Sequence, residues 1–253
     1  MNSNSSLPTA ASVDKTVIVL LGTPHTPLDV FGEQLAAGSR GAYLGDLNLS
    51  LGRTIGDLLQ VYELSQTPVH EPLFAFLRAH VADAAADPGA FLNQRKDWSF
   101  AQLLQLLIDS VAGASVVFSD TSAGFRIGQV DRWLRALPQA LFVHTLIARA
   151  KFGEAANQHY AGRLFVPPDF RDYCVLNKAP QFAPDLAWFQ VHRTLSQALS
   201  EAAGIRHCRA VIDGADAQAS LDLLTQRAGR PSASFQKPAD IATLEAALLG
   251  EPA

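Results

Sequence analysis

Residues 22–27 read Gly-Thr-Pro-His-Thr-Pro and close the apolar run KTVIVLLG, residues 15–22. A short β-branched run that stops at such a turn and passes into a helical pattern is the sequence form of a strand–loop–helix unit. In that unit, backbone N–H groups at the helix start can face an anion. Thr23 and Thr26 add hydroxyl donors, and His25 adds a ring donor that becomes cationic when protonated. The loop holds no Lys or Arg and matches neither the Walker pattern nor G-x-G-x-x-G. Two readings therefore stand side by side, an anion-binding loop and a plain tight turn. Two other stretches offer comparable chemistry. In Ser119–Ser122, Asp120 is either a base or a carboxylate bonding loop N–H groups, and Ala148–Asn157 carries basic and amide side chains.

These stretches matter because each lies at the end of an apolar strand pattern. Besides 15–22, strands are expected at SVVFSD (115–120), ALFVHTLIA (140–148) and HCRAVID (207–213). Helical periodicity falls between them, over 28–38, 54–67, 71–87, 99–113, 129–138, 184–204 and 217–229, with loop and helix over 149–162. On the first of these helices Leu28, Phe31, Leu35 and more weakly Val30 form the apolar face, with Gly38 as its cap. Ser99 is expected to cap the helix over 99–113. Strands alternating with helices, and apolar along their whole length, predict an α/β domain. Its sheet is mainly parallel and covered on both faces as a three-layer sandwich. Ligands of such sheets bind at the carboxyl ends of the strands, which is where the three stretches fall. The expected organisation is a disordered tail (1–14), one domain (15–235) and a C-terminal helical tail (236–253) with a weak helix over 239–250.

The 253 residues suffice for one sizeable core, and 48% apolar with 17% charged content is globular rather than disordered. A formal net charge of −4 without basic runs argues against a nucleic-acid or anionic-membrane partner. No apolar run approaches a membrane span. The start, MNSNSSLPTAASVD, lacks the form of a secretory signal. Cys174 and Cys208 make no Cys-x-x-Cys and are read as free thiols in a reducing, cytoplasmic setting.

Taken in order, the segments strand–GTPHT–helix, VVFSD, FVHTLIARAKFGEAAN, WFQVHRTLSQAL and VIDGADAQASLDLLTQRAG resemble the sulfotransferases that use 3′-phosphoadenosine 5′-phosphosulfate, over about residues 15–235. The resemblance implies a P-loop-NTPase-like fold, the phosphosulfate as donor, no metal, and a small-molecule, lipid or carbohydrate hydroxyl as acceptor. It implies that Gly22, Thr23, Pro24, His25 and Thr26 wrap the 5′-phosphosulfate, His25 standing where the family has a basic residue. It also implies that Arg149, with Asn157 eight residues on, holds the 3′-phosphate. The acceptor needs a general base, and TPVHEPLF supplies His70 and Glu71 as candidates. The plainer roles are a loop histidine and a charge at a helix N-terminus. His144 inside a strand, Trp133, Trp188 and His192 read as packing residues. A catalytically inactive protein that keeps the fold as a binding or assembly module is the alternative function. A P-loop kinase is disfavoured because G-x-x-x-x-G-K-[ST] is absent.

Overall fold

The computed structural model describes residues 15–65, 68–160, 184–214 and 216–228. The proposed tails and Cys174 lie outside the described residues. Five strands, β1 (Thr16–Leu21), β2 (Ala42–Asp46), β3 (Ser115–Asp120), β4 (Leu141–Leu146) and β5 (Arg206–Val211), form one sheet in the order β2-β3-β1-β4-β5. Every ladder is parallel. The carboxyl ends therefore share one edge of the sheet, with Leu21 of β1 beside Asp120 of β3 and His144 of β4.

Strand alternation sends successive side chains to opposite faces. Ile18 and Leu20 pack with Leu28, Phe31 and Leu35 of α1 (Leu28–Gly38) and Leu224 of α9 (Asp216–Ala228). Val19 and Leu21 face a larger cluster that includes α5 (Phe100–Ser110), α6 (Ile127–Ala136) and α8 (Pro184–Glu201). This is the expected three-layer α/β sandwich. Val30, placed weakly on the buried face by its spacing, is 57% exposed.

β2 was not legible as a strand. AYLGD is half-buried at the sheet edge and interrupted at Gly45, whose φ of 75° accompanies a register shift between Tyr43 and Gly45. The helix expected over 71–87 ends earlier. α3 (Glu71–His80) stops at Val81, whose backbone is extended, and a 3-10 turn (Ala82–Ala84) leads into α4 (Pro88–Asn93), where Asp87 accepts from the Ala90 N–H at 2.9 Å. α2 (Ile55–Leu64) and α5 both start at capping boxes, Thr54 with Asp57 and Ser99 with Gln102. α7 (Arg149–Tyr160) begins at Arg149 itself, so the loop expected at the start of 149–162 falls instead on Ile147 and Ala148, after the shorter β4.

Candidate functional site

The β1–α1 loop sits at the middle of the sheet's carboxyl edge. Gly22 is pinned there: its N–H reaches the Asp120 carbonyl at 3.4 Å, and the Thr145 hydroxyl donates to the Leu21 carbonyl at 3.0 Å. A Cβ on Gly22 would lie 2.1 Å from Thr145 Oγ1, so Gly22→Ala must push Thr145 off that bond. The expected cost is about 1–3 kcal/mol in urea unfolding, partly recovered by Thr145→Ala in the same chain. A loss that Thr145→Ala leaves unchanged would mean the clash lies elsewhere.

Thr23 is 1% exposed and its hydroxyl has no hydrogen-bond partner. That orphaned donor is what a bound anion would satisfy. The Thr26 hydroxyl donates to the Thr23 carbonyl at 2.8 Å, which braces the loop. His25 is exposed and takes φ 57°, the left-handed region. Pro27 precedes α1 and offers no N–H, while its carbonyl accepts from Phe31 at 3.1 Å.

Asp120 is buried and saturated. Oδ1 accepts from the Ser122 N–H (2.9 Å), the Ser122 hydroxyl (3.0 Å) and the Ala123 N–H (2.8 Å), and Oδ2 accepts from Trp133 Nε1 (2.6 Å). Of the two roles open in the sequence, the structural one fits this geometry. Asp46, one strand away, was not singled out. Its Oδ2 accepts from the Thr121 N–H (2.9 Å) and hydroxyl (2.7 Å), and Oδ1 from the Asn48 N–H (3.0 Å). Burial, then the charge of Asp120, pushes its carboxyl up to about 7 against those hydrogen bonds.

Arg149 heads α7 with its guanidinium carbon 5.3 Å from the Phe189 ring centroid, a cation–π contact. Asn157 is exposed on the same helix, about 12 Å further along its axis. A single phosphate meets both only when the long Arg149 side chain reaches along the helix toward Asn157. Lys151 is paired with Asp213 at 3.0 Å. His70 stands before α3, with Nε2 3.4 Å from Glu71, and Glu71 also meets Arg78 at 3.5 Å. The Asn48 amide donates to the Val69 carbonyl at 3.1 Å, which ties this corner to the end of β2.

His144 and His192 are both buried and meet at 2.7 Å, Nε2 to Nδ1, with the Trp188 ring against His192 and its Nε1 donating to the Ile147 carbonyl. Their packing roles hold, but the pairing joins residues 48 apart and has no local signal. The far nitrogens, His144 Nδ1 and His192 Nε2, have no partner. Cys208 is a free thiol whose pKa burial pushes up to about 12, which disfavours the thiolate. Among the described residues, no group of three or more His, Cys, Asp or Glu could hold a metal ion, and no helix is long and apolar enough to cross a membrane.

No family model and no curated protein matches the sequence. Solved structures do. The sulfotransferase domain from the curacin biosynthetic pathway aligns with a TM-score of 0.65 at 14% identity, over 87% of this chain and 75% of that one. The sulfotransferase domain from the olefin synthase of Synechococcus PCC 7002 aligns with a TM-score of 0.63 at 15% identity, over 87% and 76%. The chain has the sulfotransferase fold.

Proposed function

We infer that the protein is a sulfotransferase that moves a sulfuryl group from 3′-phosphoadenosine 5′-phosphosulfate to a hydroxyl of a small molecule, lipid or carbohydrate. The observation that carries this reading is the buried, unpartnered Thr23 hydroxyl in a loop at the carboxyl end of the central strand, in a chain of this fold. The residues fit an anionic donor, which when bound supplies the activated sulfuryl group. Gly22, Thr23, Pro24, His25 and Thr26 surround its 5′ end, and Arg149, with Asn157 further along α7, takes the 3′-phosphate. His25, protonated, adds the one positive charge in the loop. His70 accepts the proton of the acceptor hydroxyl. Glu71 faces His70 Nε2, and a carboxylate there favours the tautomer with the proton on Nε2, which leaves Nδ1 as the base.

A second reading, an inactive sulfotransferase-fold protein that binds or assembles, is favoured by one feature. The loop has no Lys or Arg, and the Lys151 ammonium is already paired with Asp213. Titration calorimetry with 3′,5′-adenosine bisphosphate separates the two. The transferase reading expects micromolar binding that Arg149→Ala weakens about tenfold or more, roughly 1.4 kcal/mol, in a protein that still melts cooperatively. Absence of binding by folded wild type would overturn the transferase reading and favour the second.

A further inference from the structure

A cavity of about 670 Å³ opens between α2, α3 and α4, lined by no residue of the β1–α1 loop, with His70 in its wall. Its volume is that of a small-molecule site. Leu59 and the rings of Tyr62 and Phe74 give it an apolar lining, with Gly56 and Gly89 also in its wall. The three rings meet at angles rather than stacked: His70 and Phe74 have centroids 4.9 Å apart at 63°, and Tyr62 and Phe74 6.3 Å apart at 79°. Around this lining stand Gln60, Glu63, Asn93 and Lys96. Two amides, one carboxylate and one ammonium supply donors and acceptors with no net formal charge. Glu63 and Lys96 carry opposite charges, so the wall offers no net attraction to an anion or to a cation. The wall and its polar residues together suit a ring with an apolar face and neutral hydroxyls at its edge.

The geometry points to this cavity as the site of a neutral, hydroxyl-bearing ring compound, such as a glycoside, whose hydroxyl is presented to His70. Its role as the acceptor rests on the transferase reading, whereas the binding itself rests on the cavity alone. The Asn48–Val69 bond holds His70 near the carboxyl end of β2. β2 lies two strands from β1, about 10 Å across the ladder, so His70 is held on the carboxyl side of the sheet, where the β1–α1 loop also lies.

The test uses phenyl β-glucoside as probe and phenyl phosphate as its anionic counterpart, followed by saturation-transfer NMR on the full chain without nucleotide. Ala90 lines the cavity from an exposed position on α4, so Ala90→Trp fills it from outside the core. Asn93→Leu, also exposed, removes an amide without adding bulk. The glucoside is expected to bind in the millimolar range or tighter, to weaken at least about tenfold in Ala90→Trp and about threefold or more in Asn93→Leu, and to outcompete the phosphate. No glucoside binding, binding unchanged in both variants, or preference for the phosphate overturns the proposal. Titrating 3′,5′-adenosine bisphosphate in parallel keeps the two readings apart. Nucleotide binding without glucoside binding rejects the cavity alone. Glucoside binding without nucleotide binding supports the cavity and rejects its transferase role.

Discussion

Asp120→Ala is expected to cost about 3–5 kcal/mol of folding stability, a large share of what a domain of this kind possesses. The carboxylate is 1% exposed and receives four hydrogen bonds from three residues. Truncation strands the Ser122 and Ala123 N–H groups and the Trp133 indole N–H in the interior, each losing a charge-assisted partner. Asp120→Asn keeps the shape but turns an NH2 toward a donor, so a loss of about 2 kcal/mol is expected. Trp133→Phe removes one donor and some volume at a ring contact with Phe100 and Phe118. Urea unfolding with unchanged m measures all three. A loss below about 1 kcal/mol for Asp120→Ala would show that the network is not what holds the turn after β3, and would return Asp120 to the candidate bases.

The second large effect is a loss of stability on acidification. Burial, then mutual repulsion and the charge of Arg209, holds the His144 pKa well below the ordinary histidine value. Burial, then Arg209, lowers His192 to about 3. A protonated pair could not keep the 2.7 Å contact, since one nitrogen must accept. Above about pH 7.5 both states of the protein hold the pair neutral, and its contribution is flat. Below that, the unfolded chain binds two protons that the folded one refuses, so stability falls with pH by up to about 2.7 kcal/mol per unit. Asp46 acts the other way. Its folded pKa, about 7, lies above the unfolded 3.8, so between these values the folded state holds the extra proton and gains as pH falls, by up to about 1.4 kcal/mol per unit. From these three groups the wild-type slope between pH 4.5 and 6.5 is expected to average about 1 kcal/mol per unit, steepest at the acid end. Asp46→Asn is expected to steepen it, and His144→Phe with His192→Leu to reverse it. Urea midpoints across that range read both, and a wild-type slope of zero with Asp46→Asn unchanged would contradict the assignment.

What the sequence disclosed follows from how locally each feature is encoded. β1, β3 and β4 are short, apolar and bounded by turn residues, so their burial shows in composition alone. β2 escaped because Gly45 and Asp46 interrupt its pattern and the sheet edge asks for little burial. The break at Val81 escaped because the Ala-rich stretch after it favours helix, while the Asp87 cap restarts the chain at Pro88. For the site, the β1–α1 loop is contiguous and was legible. Asp46 was not, since its partner Thr121 is 75 residues away. His70 was reached through the need for a base, but nothing near it announces Asn93 or Lys96 as its neighbours across a cavity.

The order of the strands has a consequence for the life of the chain before it is complete. β1 is synthesised first and occupies the centre of the sheet, yet Thr16 pairs with Ser115 and Ile18 with Leu141. At ordinary elongation rates its first neighbour follows roughly 5–20 s later. Until then a fully apolar strand has neither edge covered, a state that invites pairing with other chains. Late closure of this sheet leaves the nascent chain with an exposed pairing edge that its folded form conceals.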